Sequence, residues 1–141
     1  MSDPAFRLPL RVYYEDTDAS GVAYHANYLR WCERARTEWL RALGFEQARV
    51  HDQLGVVFTV ASLDVGYRRP ARLDDELQIE VRVPRVGQAS LLFEQRVLRA
   101  VDGTLLATLQ AKVGCVGADD FRPTAVPAAL REAMQRWAQT A

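Results

Sequence analysis

The chain has 141 residues, a length that fits one domain, and 49% of them are hydrophobic. Its 18 basic and 18 acidic residues give a formal net charge of zero at pH 7, so no global positive field draws it to nucleic acid. No apolar run approaches the roughly 20 residues that a bilayer-spanning helix needs, and Met1–Arg11 has no long apolar stretch of the kind that marks a secretory signal.

The two cysteines indicate the compartment. Cys32 and Cys115 lie far apart in stretches that we expect to be buried. Free thiols in a reducing environment fit this usage better than a disulfide. We therefore expect a cytoplasmic protein with no membrane span.

The first elements in chain order are a strand, a loop and a long helix. Alternating apolar side chains predict the strand over residues 7–14, and small and acidic residues predict a loop from Glu15 to Gly21. From about Ala26 the apolar period becomes helical, and Gly44 is the predicted C-cap. The apolar stripe of this helix consists of Tyr28, Trp31, Cys32, Ala35, Trp39, Leu40 and Leu43.

Four strands are predicted in the middle of the chain. Period-two patterns place them at residues 57–67, 77–83, 91–98 and 105–115. The first is apolar on both faces at its start, which predicts either a central strand or a strand at an interface. Pro84–Gln88 and Asp102-Gly103 are predicted turns, and a short helix is predicted near Pro127 at the C-terminal end.

This order of elements, β-α-β-β-β-β-α, predicts the fold class. Successive strands joined by short turns pair antiparallel. A long helix that carries two tryptophans needs a broad apolar surface, which a sheet can supply. We therefore expect one α+β domain over residues 1–141, with a five-stranded antiparallel sheet wrapped around one long central helix and a short C-terminal helix.

The loop before the long helix contains residues suited to catalysis. Asp16 and Asp18 are two residues apart, Gly21 permits a bend with positive φ, and His25 lies just before the helix. A helix start offers free N–H groups and a positive dipole end, which suit a developing oxyanion. A carboxylate, an imidazole and backbone donors are enough for acyl transfer to water, although an isolated Asp-x-Asp is more often structural.

Other enzyme classes lack their motifs here. His25 and His51, without an H-x-x-x-H or C-x-x-C pattern, do not form a metal ligand set. The sequence has no G-x-S-x-G nucleophile elbow and no P-loop or Rossmann glycine pattern. We expect neither a metal nor a cofactor.

Two longer motifs extend this pattern. The first motif reads Tyr14-x-x-Thr17-Asp18-Ala19-x-Gly21-Val22-x-Tyr24-His25-x-x-Tyr28-Leu29-x-x-x-Glu33-x-Ala35-Arg36-Thr37-Glu38. The second reads Tyr67-Arg68-Arg69-Pro70-Ala71-x-x-Asp74-Asp75-x-Leu77. Both resemble motifs of the 4-hydroxybenzoyl-CoA thioesterase-like hotdog proteins, and within them the Tol-Pal-associated acyl-CoA thioesterase branch. The resemblance covers about residues 8–120. It implies a hotdog fold, acyl-CoA as substrate, and a homodimer or homotetramer with active sites between subunits.

The resemblance also implies residue roles. Asp18 matches the catalytic aspartate, acting as nucleophile toward the thioester carbonyl or as general base for water. The backbone N–H near His25 matches the oxyanion donor, and the His25 side chain would orient the substrate or protonate the leaving thiolate. The expected substrate-binding residues are Tyr14, Gly21, Tyr24, Tyr28, Arg68, Arg69 and Arg85. Glu33 and Glu38, the acids on the helix, rank below Asp18.

Two alternatives remain at this stage. One is a hotdog protein that binds acyl-CoA or an envelope or lipid-synthesis protein without turnover. The other is a hotdog dehydratase or hydratase. The intact pattern of Asp18, Gly21 and His25 favours the thioesterase, because a pure binding protein does not need that carboxylate.

Overall fold

The computed structural model describes residues 5–139. The ends of the predicted domain over residues 1–141, and the first four residues of Met1–Arg11, lie outside the described residues. The helices and strands are β1 (Phe6–Arg11), α1 (His25–Ala42), α2 (Gln47–Arg49), β2 (Val56–Tyr67), β3 (Glu76–Val86), β4 (Ser90–Arg99), β5 (Leu105–Gly117) and α3 (Ala128–Gln139). A π-helical turn, Val50–Leu54, continues α2. The order of major elements predicted from the sequence is confirmed.

The five strands form one antiparallel sheet in the order β1-β3-β4-β5-β2. The predicted five-stranded sheet is therefore confirmed. Strand β2 lies at an edge of the sheet, so the predicted alternative of a central strand is wrong. The other alternative, a strand at an interface, stays a prediction. Pro9 is tolerated because β1 is the other edge strand.

Helix α1 packs its apolar stripe against the sheet and contributes much of the core. Its 18 residues span roughly 27 Å at 1.5 Å per residue. Trp31 and Trp39 are each 1% exposed, and full burial of a large apolar side chain stabilises the fold by about 1.5–3 kcal/mol. The helix ends at Ala42 with Leu43 as its C-cap, one residue before the predicted Gly44. Gly44 follows with φ at +98°, and its N–H donates to the Arg41 carbonyl. Only glycine takes such a φ without strain.

Two predicted boundaries are wrong for physical reasons. The first strand ends at Arg11 and not near Tyr14, because the Tyr13 N–H is taken by the Asp16 carboxylate and a 3₁₀ turn begins. The predicted turn at Pro84–Gln88 begins later, because β3 continues to Val86 through a register shift between Arg82 and Arg85. Pro84 lies inside that irregularity, where its missing N–H removes no ladder bond.

The predicted C-terminal helix is confirmed as α3, which begins directly after Pro127. Leu130 and Met134 are buried in the core shared with the sheet. Cys32 and Cys115 are buried free thiols, as expected. Within residues 5–139, no helix is long and apolar enough to cross a bilayer.

Candidate active site

Asp16 folds the loop between β1 and α1. One carboxylate oxygen accepts the Tyr13 N–H at 2.8 Å, and the other accepts the side-chain amide of Asn27 at 2.8 Å. Its carbonyl accepts the Tyr24 N–H, also at 2.8 Å. Asn27 is buried in the first turn of α1. Asp16 therefore fastens the loop to the helix start, as expected for a structural aspartate.

Asp18 lies in a tight turn two residues further on, and its side chain is exposed. Its Oδ1 accepts hydrogen bonds from the N–H of Ser20 at 2.8 Å and from the Ser20 hydroxyl. These bonds, the hydroxyl first, lower the pKa of Asp18 below its usual value. Gly21 closes the turn with φ at +81°. The turn therefore presents an ionised carboxylate to solvent at neutral pH.

The segment after β2 holds this turn in place. Val22 pairs with Arg72 in an isolated antiparallel bridge, and the Ala23 N–H donates to the Ala71 carbonyl at 2.8 Å. The Ala71 N–H donates to the Tyr28 hydroxyl at 2.9 Å. The acidic turn, the start of α1 and the second sequence motif are thereby joined by hydrogen bonds.

The start of α1 provides backbone donors and an aromatic cluster. His25 and Ala26 are its first two residues, so the helix itself offers their N–H groups no acceptor. The exposed His25 ring lies 4.4 Å from the Tyr24 ring and 6.2 Å from the Tyr67 ring, measured between centroids. The Tyr67 hydroxyl donates to the His25 carbonyl at 2.9 Å. The donors suit an oxyanion, and the rings can contact an acyl or pantetheine group.

The structure separates some of the predicted site residues. Among residues 5–139, no hydrogen bond joins Asp18 to His25, although both flank the same turn. Tyr14 is 82% exposed and makes no hydrogen bond to Asp18 among the described residues, and its substrate-binding role stays a prediction. Tyr24 and Tyr28 lie at the helix start. Glu38 pairs with Arg41 on the helix surface, whereas Glu33 accepts the Thr37 hydroxyl.

The predicted arginine set does not converge within one chain. The N–H groups of Arg68 and Arg69 both donate to the Leu106 carbonyl, just beyond Tyr67 and near the helix start. Arg85 lies in β3 opposite Leu92, at the other end of the sheet. Its predicted place in a turn is wrong, because β3 extends past Pro84. Of the three predicted arginines, Arg68 and Arg69 lie toward the acidic loop within one chain, and Arg85 does not.

Three side chains near α1 were not predicted as site residues, although Tyr67 begins the second motif. Ser20 holds Asp18, and Tyr67 contacts the helix start. Gln95, 2% exposed, accepts a bond from Arg36 at 2.7 Å and donates to the Cys32 carbonyl at 3.0 Å. An available signal for Gln95 was its position among inward-facing apolar residues of β4, since a buried amide needs partners.

Burial shifts the pKa values of two groups next to Gln95, Cys32 and Arg36. Burial raises the pKa of the Cys32 thiol to about 12, so it is not a nucleophile at neutral pH. Burial also lowers the pKa of Arg36. No group of three or more metal-ligating side chains is placed to hold an ion in residues 5–139.

An antiparallel sheet packed on one long helix, with an ionised carboxylate just before the helix start, defines a hotdog-type α+β protein with the parts of an acyl-transfer site. Comparison with known proteins agrees. Residues 12–134 match the Thioesterase-like superfamily, and the chain belongs to that family.

The chain is similar to relatives over nearly its whole length. It is 44% identical to the acyl-CoA thioesterase YbgC of Haemophilus influenzae, covering 94% of this chain and 96% of that protein. It is 32% identical to the acyl-CoA thioesterase YbgC of Helicobacter pylori, covering 86% and 94%. A probable thioesterase from Bartonella henselae superposes with a TM-score of 0.81 at 32% identity, covering 89% of this chain and 100% of that one.

Proposed function

We propose that this protein hydrolyses acyl-CoA thioesters to a free acid and CoA. The observation that carries the proposal is the position of Asp18, an exposed ionised carboxylate in the turn directly before the free N–H groups of His25 and Ala26. Membership of the thioesterase-like family and near full-length similarity to acyl-CoA thioesterases support the same reaction.

The reaction needs an attacking oxygen and a site for negative charge. Asp18 attacks the thioester carbonyl itself, to form an anhydride that water then cleaves, or it removes a proton from an attacking water. The carbonyl oxygen gains negative charge in either route and accepts hydrogen bonds from the helix start. The C–S bond then breaks, the acyl carbon keeps an oxygen from water, and the thiolate gains a proton.

His25 is proposed as an auxiliary. Its ring is held against Tyr24 and Tyr67 at the helix start. It orients the substrate or protonates the leaving thiolate, but a thiol with a pKa near 8.5 leaves without much help. We therefore expect loss of Asp18 to reduce activity more than loss of His25.

The working unit is proposed to be a dimer formed through β2. This edge strand has five consecutive exposed residues, Val60–Asp64, and an unpaired edge of this kind invites another strand. Leu63 and Leu109 line a groove between this edge and α1. Pairing of two copies about a two-fold axis would cover both the edge and the groove.

The cellular setting is also part of the proposal. Two buried free thiols support a reducing compartment, so the enzyme acts in the cytoplasm. Doubling of the dimer to a tetramer, and association with an envelope or lipid-synthesis protein, stay predictions.

The test is free-thiol release from a panel of short-chain, long-chain and aromatic acyl-CoAs. Asp18→Asn keeps the shape of the side chain and removes its charge. Asp119→Asn, in an exposed turn after β5, is the matched control and should retain full activity. Absence of turnover on every substrate would favour the non-catalytic alternative, and full activity in Asp18→Asn would remove Asp18 from the mechanism. A 3-hydroxyacyl-CoA is added to the panel, and loss of water from it to give an enoyl product, with no thiol release, would indicate a dehydratase.

A further inference from the structure

The start of α1 has no side-chain cap. The N-cap residue, Tyr24, makes no side-chain bond to the first turn, and that turn contains no acidic residue. Ser, Thr, Asp and Asn are the usual N-cap residues, because their side-chain oxygens accept an N–H of the first turn. The Asn27 N–H donates to the Tyr24 carbonyl at 2.9 Å, whereas those of His25 and Ala26 have no acceptor among residues 5–139. Two donors therefore stay free for a ligand.

A carboxylate that could supply this cap lies beside the helix start. The Asp16 carbonyl accepts the Tyr24 N–H at 2.8 Å, so Asp16 is bonded to the residue directly before His25. A carboxylate at a helix N-terminus is stabilised by the free N–H groups and by the helix dipole. If the Asp16 carboxylate turned to His25 and Ala26, it would occupy the donors that the proposed reaction needs for its oxyanion, and its charge would repel the oxyanion.

Asn27 holds the Asp16 carboxylate in another position. Its Nδ2 donates to Asp16 Oδ1 at 2.8 Å, and the Tyr13 N–H donates to Asp16 Oδ2, also at 2.8 Å. The orientation of the Asn27 amide is fixed from its other side, because Arg30 Nη1 donates to Asn27 Oδ1 at 2.9 Å. Asn27 is 4% exposed, so water competes little for these bonds. A chain of hydrogen bonds thus runs from Arg30 through Asn27 to Asp16.

We infer that Asn27 is a positioning residue for thioester hydrolysis. Its amide keeps the Asp16 carboxylate away from the free N–H groups of the first turn, which stay open to the oxyanion. This inference rests on the proposed function. Asn27 does not touch the reacting atoms, and it acts through Asp16. An apolar residue of the same size would fill the space equally well, but it would leave the carboxylate with one donor fewer.

Asn27→Leu removes the amide and keeps most of its volume. The freed Asp16 carboxylate should compete with the oxyanion, whose charge develops only in the transition state. We therefore expect kcat to fall about tenfold or more, while KM changes by about threefold or less. Thiol release from an acyl-CoA that the wild-type protein hydrolyses measures both constants. An unchanged kcat, or a loss confined to KM, would overturn the inference.

Asp16→Ala in the Asn27→Leu background separates this role from a purely structural one. The backbone bonds of the loop, including that from the Tyr24 N–H to the Asp16 carbonyl, remain in the double variant. If Asn27 only fastened the loop, loss of the Asp16 side chain would not raise kcat. Because Asn27 restrains a competing carboxylate, the double variant should recover kcat about threefold or more relative to Asn27→Leu. A double variant no more active than Asn27→Leu contradicts the inference.

Gln95→Leu is the matched control. It also removes a buried amide that is bonded to α1, since Gln95 is 2% exposed and donates to the Cys32 carbonyl. Cys32 lies more than one turn beyond Asn27 along the helix. Thermal unfolding should show a loss of stability in both variants, but Gln95→Leu should lower kcat by only about twofold or less. An equal loss of kcat would mean that any buried amide bonded to α1 has this effect, against the inference.

Asn27→Asp decides if Asn27→Leu does not fold. It keeps the shape of the side chain and the acceptor for Arg30, but it places a second carboxylate against Asp16 and removes the donor. Two carboxylates in contact share one proton on acidification, and the protonated group is again a donor. The kcat of Asn27→Asp should therefore rise as the pH falls from neutral toward the acid limb set by Asp18, whereas the wild-type kcat should not. A kcat that does not rise contradicts the inference.

The outcomes separate the two proposals. Absence of thiol release by the wild-type protein from every acyl-CoA of the panel overturns the proposed function, and the role of Asn27 with it. Turnover by the wild-type protein, with a kcat that Asn27→Leu and Asn27→Asp leave unchanged, overturns the role of Asn27 and leaves thioester hydrolysis standing.

Discussion

The phenol of Tyr67 donates a hydrogen bond of 2.9 Å to the backbone carbonyl of His25, 42 positions earlier in the chain. The bond connects the last residue of the edge strand β2 to the first residue of α1. Tyr67 also meets the ring of Tyr28 edge-on at 5.2 Å, one turn further along the helix. The backbone N–H groups proposed as oxyanion donors are therefore held in place by the strand that is proposed to form the dimer.

Tyr67→Phe tests this link. The substitution keeps the ring contacts and removes the hydroxyl, so the free energy of unfolding should fall by about 1 kcal/mol, the usual net value of one hydrogen bond. The helix start should also be less well fixed, and kcat should fall more than KM rises. Chemical denaturation and steady-state kinetics measure the two effects. Tyr13→Phe, at an exposed tyrosine of the loop between β1 and α1, should change neither quantity. An equal loss in that control would mean that the effect is not specific to the Tyr67–His25 bond.

Ser20→Ala tests whether the Ser20 hydroxyl lowers the pKa of Asp18. The Ser20 hydroxyl and N–H lower the pKa of Asp18, and the hydroxyl is the larger cause. A lowered pKa keeps the carboxylate ionised to lower pH, so removal of the hydroxyl should move the acid limb of the kcat/KM profile to higher pH. Activity should therefore be lost earlier on acidification, while activity well above neutral pH changes less.

The control for this profile is Ser90→Ala, at the start of β4 and away from the acidic turn. Its acid limb should coincide with that of the wild-type protein. An unchanged limb in Ser20→Ala would show that the titrating group is not Asp18.

The sequence predicted the elements that depend on local periodicity. The stripe from Tyr28 to Leu40 determined the long helix, and strict alternation determined the inward face of β3 at Leu77, Ile79 and Val81. Gly44 and Asp102-Gly103 marked turns because their backbone demands are local; Gly103 has φ at +70°.

The remaining features depend on residues far apart in sequence. The edge position of β2 follows from the pairing of all five strands, which no single strand's pattern determines. Pro84 looked like a turn, but the register shift in β3 accommodates it. Tyr67 meets His25 only because the sheet and the helix pack together. Family resemblance selected Asp18 as the catalytic aspartate and not Asp16. The structure adds a physical reason, because both carboxylate oxygens of Asp16 already accept hydrogen bonds from Tyr13 and Asn27.

Glu80 provides a test of electrostatics outside the site. It lies on the outer face of the sheet, opposite to the face of Leu77, Ile79 and Val81, yet its side chain is buried by three arginines. Oε1 accepts Arg96 at 2.8 Å and Arg82 at 3.1 Å, and Oε2 accepts Arg7 at 3.1 Å. Burial alone raises the pKa of Glu80, but the hydrogen bonds from Arg96, Arg82 and Arg7 outweigh it and lower the pKa to about 2.

Glu80→Gln should therefore destabilise the protein in a pH-dependent way. A folded-state pKa below the ordinary 4.5 gives stability that is present above pH 4.5 and is lost as the pH falls toward 2. At pH 7 the variant should lose roughly 1.5–3 kcal/mol of unfolding free energy, the range for hydrogen bonds to a charged group. The difference from the wild type should shrink between pH 4.5 and 2 in urea titrations, and a constant difference would contradict the assignment. Glu132→Gln, on the surface of α3, is the control.

Strand β2 gives the test of assembly. Leu63 is 43% exposed in the middle of the bare edge and lines the groove beside α1. Two-fold pairing of β2 with its own copy would bring the two introduced carboxylates close together along the covered edge, where like charges repel, so Leu63→Glu should shift the proposed dimer toward monomer in light scattering at micromolar concentration. Since the working unit is proposed to be the dimer, the monomer should also lose thioesterase activity. Val101→Glu places the same charge at an 87% exposed position in the β4–β5 turn and should leave both assembly and activity unchanged. A wild-type protein that is monomeric and fully active would contradict the proposed interface.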